Sequence, residues 1–208
     1  MLVDRMLGCG VLLVVVTNFT LPVDRMPESE VALRLAFCLL DLPGSEKRAE
    51  VALDGAQVQI KHKRIFPVSE FLAELGWARA AGESSRDWQG TYKKGPLTLA
   101  VHSRSGVGDV VCGVGGRRVR AECKKGPLTK KKGSQEYPSL RGALGQMLTV
   151  ESVSDSDVLV VAVPLSPKFK ELALTWRERP LMKRSGIAIV LVGRTGLVEG
   201  LPPSISGF

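Results

Sequence analysis

At 208 residues the chain has room for one compact domain, or for a core with an accessory segment, and its 44% apolar content allows a sizeable buried core. Lysine plus arginine number 29 against 21 acidic residues, giving a net charge of +8 and a pI near 9.5. That balance argues for a polyanionic partner such as nucleic acid, less often a membrane surface, with a merely solvated basic surface as the alternative. The four cysteines (Cys9, Cys38, Cys112, Cys123) lack any Cys-x-x-Cys spacing. They exclude a zinc site or disulfide frame and read as reduced thiols of a cytoplasmic protein.

In chain order, Gly10 to Val16 is an apolar run too short to cross a bilayer, and it is expected to form a buried strand, with a signal peptide as the alternative. Pro27-Glu28-Ser29-Glu30 opens a helix whose Val31, Leu35, Cys38 and Leu39 recur at helical spacing, ending before Pro43-Gly44. Ala49 to Leu53 and Gln57 to Ile60 flank Asp54-Gly55, a hairpin signal, and the outgoing arm carries Lys61, His62, Lys63 and Arg64. This basic cluster either tracks a phosphate backbone or keeps an edge strand soluble. Residues 1–64 are thus expected to form an accessory unit of strand, helix and basic hairpin, and residues 65–208 the core. The core opens at Pro67-Val68-Ser69 with a helix bearing Phe71, Leu72, Leu75 and Ala78 on one side and Glu70 and Glu74 one turn apart. A polar linker over 81–94 leads to a short strand, Leu97 to Val101.

The next stretch, Gly108 to Lys124, contains two β-type runs around Gly115-Gly116, a two-residue link suited to a tight hairpin because both positions tolerate positive φ. In that register Val114 faces Arg117, Cys112 faces Val119, Val110 faces Ala121, and Asp109 sits across from Glu122. One face then carries Asp109, Glu122, Arg118, Arg120 and Lys124, while Val110, Cys112, Val119, Ala121 and Cys123 enter a core. Facing carboxylates repel unless a proton or cation lies between them, and oxygen donors of this kind suit Mg²⁺ or Mn²⁺. The alternative is an ordinary polar hairpin face with Glu122 paired to Lys124 or an arginine.

Beyond Lys124 a basic loop, Lys125 to Gly133, holds Lys130, Lys131 and Lys132 in a row. Starting at the carboxylates, it is placed to close over a polyanion, or else is a solvated loop. Ser139 can cap a helix with Leu140, Ala143, Leu144, Met147 and Leu148 on one stripe and Arg141 and Gln146 outside it. Val158 to Val163 and Ile187 to Val192 are unbroken apolar runs, as in strands covered on both faces, and Ser166-Pro167 starts a helix between them. Strand, helix, strand predicts a parallel crossover. The glycines at 113–116 lead into a strand rather than a helix, which excludes a dinucleotide-binding turn. The presence of only His62 and His102, with no nucleophile elbow, argues against a Ser-His-Asp hydrolase.

Gly-Asp109-Val-Val followed by Ala-Glu122-Cys-Lys124 resembles the signature of the PD-(D/E)XK nuclease superfamily. Gly108 stands where the family's name has proline. The resemblance implies an α/β, restriction-endonuclease-like core with a central mixed sheet flanked by helices, and the order helix, three-strand meander, helix, strand, helix, strand from about Val68 agrees with it. It implies a Mg²⁺-dependent endonuclease, with Mn²⁺ as substitute, acting on nucleic acid, DNA ahead of RNA. Asp109, Glu122 and the backbone carbonyl of Cys123 would hold the ion and Lys124 would position or deprotonate water. Glu70 or Glu74 would complete the metal site and Gln146 would orient phosphate or water. Lys125, Lys130, Lys131, Lys132, Arg141, Lys61, Lys63 and Arg64 would meet the nucleic acid. No membrane partner is expected, and a homodimer is compatible with the reading. The alternatives are a catalytically silent nucleic-acid-binding subunit of the same fold and an RNA-directed nuclease.

Overall fold

The computed structural model of the chain describes residues 20–60, 63–80, 88–104, 106, 108–129 and 135–206. The strand expected at Gly10 to Val16 lies outside them, as do Lys61, His62, Lys130, Lys131 and Lys132. In order the elements are β1 (Arg25–Met26), α1 (Glu28–Asp41), β2 (Ser45–Ala52), α2 (Gly55–Val58), β3 (Gln59–Ile60), β4 (Lys63–Arg64), α3 (Val68–Glu74), β5 (Ala78–Arg79), β6 (Gly90–Lys94) and β7 (Leu97–His102). They continue with β8 (Val110–Val114), β9 (Arg117–Cys123), β10 (Gly126–Pro127), α4 (Glu136–Leu148), β11 (Asp157–Pro164), α5 (Pro167–Arg177), α6 (Pro180–Ser185), β12 (Ala188–Val192), β13 (Val198–Glu199) and α7 (Pro203–Ser206).

The protein is an α/β molecule built on a nine-stranded mixed sheet of order β13-β12-β11-β9-β8-β2-β7-β6-β5. The β8–β9 hairpin has the expected register, Val110 opposite Ala121, Cys112 opposite Val119 and Val114 opposite Arg117. Gly115 and Gly116 take φ of 59° and 74°, the two positive values that a turn matched to strand twist requires. Val110, Cys112, Val119, Ala121 and Cys123 are all buried. On the other side of the hairpin, β9 pairs in parallel with β11 and β11 with β12, so the two unbroken apolar runs are interior strands, as their composition implies.

The division expected near residue 64 is not where the sheet divides. β2 lies at the centre, antiparallel to β8 and parallel to β7, so α1 and β2 belong to the core and the segment from α2 to β7 is an excursion between neighbouring strands. The strand at 97–102 forms as expected but is separated from β8 by β2, so the meander is β2, β8, β9 rather than β7, β8, β9. Asp54-Gly55 does not turn a hairpin. The Asp54 side chain accepts from the Ala56 N–H at 2.9 Å, starting the short helix α2, and the small hairpin is β3–β4 just after it. This local side-chain bond competes with a strand continuation.

One layer of helices, α1 with α3 beyond it, covers one face of the sheet. α1 is apolar nearly all round because it is sandwiched: Leu33, Leu35, Leu39 and Leu40 are fully buried, and Phe37 stacks on Phe71 of α3 and on Trp77 at 6.3 and 5.4 Å between ring centres. The opposite face is covered by α4 and α5 over β9, β11 and β12, closing a second core of Leu140, Ala143, Met147, Phe169 and Ile189. α5 is capped by Ser166, whose side-chain oxygen accepts from the Phe169 N–H. α4 begins three residues before the expected cap, at Glu136, whose carboxylate is buried with no hydrogen-bond partner for either oxygen among the described residues. A carboxylate at a helix start gains about 0.3–1 kcal/mol from the helix dipole, less than the roughly 1–3 kcal/mol cost of an unmade buried hydrogen bond. Glu136→Met is therefore expected to raise the melting temperature by several degrees in calorimetry; an equal or lower value would mean that the carboxylate is compensated.

Candidate functional site

The site forms where β8 begins and β9 ends. The Asp109 N–H donates to the Ala121 carbonyl at 2.8 Å, extending the ladder by one step and bringing Asp109 beside Glu122. Gly108 makes that approach possible. Its φ is +141°, closed to proline, and a Cβ there would lie 2.9 Å from the Ala121 carbonyl oxygen. Asp109 Oδ2 accepts the Cys123 N–H at 2.7 Å, and Lys124 Nζ donates to Glu122 Oε1 at 2.6 Å. The Cys123 thiol itself is buried on the core side, where desolvation pushes it well above its ordinary value.

A third carboxylate, which the sequence did not single out for this role, joins the pair. Glu28, the first residue of α1, accepts from the Lys125 backbone N–H, and its charge acts on Asp109, Lys124 and Cys123. Burial pushes Glu28 up, with Lys124 opposing. Burial, then the Glu122 charge, raises Asp109 from 3.8 to about 7, despite the Cys123 N–H. Lys124 is raised: burial works against its charge, but the Glu122 hydrogen bond and the Glu28 and Asp109 carboxylates outweigh it. Three carboxylates thus share one ammonium group, an acidic pocket inside a basic protein.

Glu28 is held by a buried ion cluster centred on Glu30, two residues further along α1. Glu30, with no exposed surface, accepts from Arg34 at 2.9 Å and from both Nε and Nη2 of Arg194, the latter in the β12–β13 turn. Arg194 also donates to the Arg25 carbonyl in β1, and β1 pairs with β10 directly after Lys125. The start of α1 is thereby fixed to the segment leaving the site.

The other expected site residues fall elsewhere. Glu70 and Glu74 lie on α3 and are not among the groups whose charge acts on Asp109, Lys124 or Cys123; Glu28 is. Gln146 is exposed near the far end of α4. Because β9 and β11 are parallel, α4 starts at the Cys123 end of β9 and runs back, so Gln146 is about 15 Å along the helix from its start and away from Glu122. Arg141 is exposed on the same helix with its guanidinium over the Tyr137 ring at 5.9 Å. Lys125 is exposed beside the site and donates to Gln57 Oε1 at 3.2 Å. Arg120, expected on an open face, is instead buried under α4, bound to Asp157 and the Ser152 carbonyl. Lys63 and Arg64 lie on β4 of the small hairpin.

Among the described residues, no three or more His, Cys, Asp or Glu side chains stand at metal-binding spacing. The donors are engaged internally, Glu122 with Lys124 and Asp109 with the Cys123 N–H. No described helix is long and apolar enough to cross a membrane. Neither a protein-family model, nor a curated protein, nor a solved structure matches the chain. The site must be judged on its own chemistry.

Proposed function

We propose that the protein is a metal-dependent nuclease of the PD-(D/E)XK type that hydrolyses phosphodiester bonds in DNA. The observation that carries this reading is the cluster of Asp109, Glu122 and Glu28 around Lys124 at the end of the β8–β9 hairpin. With the α2–β7 excursion set aside, the order α1, β2, β8, β9, α4, β11 is helix, three-strand meander, helix, strand, which supports a restriction-endonuclease-like core.

The donor set fits a hard divalent cation. It is all oxygen, it is repulsive without a cation, and Mg²⁺ needs only one or two carboxylates beside water and phosphate oxygens. Asp109 and Glu122 would hold the ion, with the Cys123 carbonyl beside them and Glu28 as the additional carboxylate. When bound, such an ion polarises a phosphate oxygen and lowers the pKa of water. Release of Glu122 from Lys124 would free the ammonium group to orient the attacking water and offset charge on the phosphate. Lys125 stands next in the chain to meet the substrate backbone.

Incubation of the protein with single- and double-stranded DNA and with RNA, with EDTA, Mg²⁺ or Mn²⁺, tests the proposal. Metal-dependent cleavage of DNA is expected, together with a rise in melting temperature on adding Mn²⁺. Absence of both would leave the second reading, a silent nucleic-acid-binding subunit, which the 2.6 Å Lys124–Glu122 bond and the lack of a ready three-donor cluster among the described residues favour.

A further inference from the structure

Beside the carboxylates, on the face of the sheet that carries Val111, lies an open cavity of about 260 Å³ lined by Glu50, Ala52, His102, Arg104, Gly108 and Val111 among others. Its place follows from register. Ala52 pairs with His102 on β7, and its N–H donates to the Asp109 carbonyl, so Asp109, Ala52 and His102 form one row across three adjacent strands. Neighbouring strands are about 4.8 Å apart, which puts His102 about 10 Å from Asp109. Alternation places Asp109 and Val111 on one face, and the small Ala52 between the taller side chains opens the hollow.

We propose that this cavity holds one nucleobase, guanine in preference, of the strand whose phosphate lies at the carboxylate centre. The inference rests on the nuclease reading for its substrate but on the cavity alone for its ligand. Its volume falls just below the roughly 300–1,000 Å³ typical of sites for drug-sized ligands, so the occupant is a single ring system rather than a base pair. Ala52 and Val111 give an apolar floor for a ring, and His102 a planar wall. Burial and the Arg104 charge lower the His102 pKa, against Glu50, which favours a neutral ring suited to stacking. Among the described residues its Nδ1 is buried with no aligned hydrogen-bond partner, although the Arg104 backbone lies close enough to act on it.

Guanine matches the charged groups at the rim. Its N1–H and N2 amino group donate to a carboxylate, and its O6 and N7 accept from a guanidinium, so Glu50 and Arg104 together complement both edges. Among the described residues Glu50 pairs only with Arg48, across 3.6 Å between side chains that are half to two-thirds exposed, a weak pair in water. A base can enter such a hollow only when it is out of the duplex stack. The substrate strand at this site is therefore single-stranded, or gives up one flipped base.

The test follows the His102 ring resonances by NMR in a His62→Ala background, without metal, on adding dGMP, dAMP, dCMP, dTMP or inorganic phosphate. The expected result is a saturable shift with dGMP, at least threefold weaker with dTMP and absent with phosphate. Ala52→Leu, which fills the hollow, should weaken dGMP at least tenfold, and Glu50→Gln should remove the preference over dTMP while keeping the fold. In parallel, DNA cleavage with Mn²⁺ is compared for oligonucleotides with guanine or an abasic site at each position flanking the cut. Nucleotide binding without cleavage keeps the pocket and sinks the nuclease. Cleavage indifferent to the abasic site, with no His102 shift from any nucleotide, overturns the pocket and leaves the nuclease. Equal shifts with phosphate alone, or unchanged dGMP binding in Ala52→Leu, also overturn it.

Discussion

Asp109→Asn should make the metal-free protein more stable while abolishing cleavage. The carboxyl of Asp109 is raised from 3.8 to about 7, first by burial and next by Glu122. Such a rise corresponds to at most about 4 kcal/mol of cost to the charged form, and a realistic gain on removing the charge is on the order of 2 kcal/mol. Between pH 4 and 7 the folded protein binds more protons at this site than the unfolded chain does. Its contribution therefore falls as pH rises through that window and is at its worst above pH 8. Asparagine does not titrate and can still accept the Cys123 N–H. The advantage of the variant should thus be near zero at pH 4, grow up to pH 7 and level off beyond. On the proposed metal reading the order should reverse with Mn²⁺, since proton and metal would compete for the same oxygens and the wild type would gain more from the ion as pH rises. Cleavage should drop by at least a thousandfold in Asp109→Asn and Glu122→Gln, and in Lys124→Ala with the metal-induced melting shift largely retained. Chemical denaturation across pH, with and without Mn²⁺, reads both signs; an advantage independent of pH would mean that Asp109 is not the strained group.

Removing the buried carboxylate of Glu30 has the second large expected effect. It leaves Arg34 and Arg194, only 15% and 25% exposed, without their shared partner. Breaking one side of a buried ion pair costs about 3–5 kcal/mol. Because both arginines retain some access to water, Glu30→Ala is expected near the lower end, at about 3 kcal/mol in urea denaturation with an unchanged m-value. Arg34→Ala should cost less than Arg194→Ala, since only Arg194 makes a two-pronged contact and also holds the Arg25 carbonyl. As Glu30 fixes the turn that carries Glu28, Glu30→Ala should also lessen the Mn²⁺-induced melting shift. A loss under 1 kcal/mol would show that the cluster is solvated.

The part of this architecture legible in the sequence is the part whose pairing is local. Gly115-Gly116 and strict alternation fix the β8–β9 register without reference to the rest of the chain, so Asp109, Glu122 and Lys124 could be brought together from their spacing. The Ser166 cap and the apolar runs at 158–163 and 187–192 were readable for the same reason. What failed was long range. β2 has an alternating pattern that suits an edge hairpin as well as a sheet centre, and only its pairing with β8, far along the chain, decides between them. A reading that places β2 in an accessory unit takes α1 and Glu28 with it, which leaves Glu70 and Glu74 as the helical glutamates. One signal pointed the other way: Leu33 and Leu40 lie outside the stripe of Val31, Leu35 and Leu39, and a helix apolar on nearly every side belongs between layers. For Gln146, helical periodicity gives the side chain's face but not its distance from the strand end.

The position of β2 also bears on how the chain is made. During synthesis α1 and β2 emerge early, but the lateral partners of β2 are β7 and β8, so one edge of the strand stays open until the ribosome has passed His102 and the other until it has passed Val114. Until then the apolar surface of α1 lacks its central sheet, and β2 presents first two unpaired edges and then one to other nascent chains. Translation pauses before Val114 are therefore harmful to yield, whereas pauses after Cys123, when the central strands can close around α1, are tolerated.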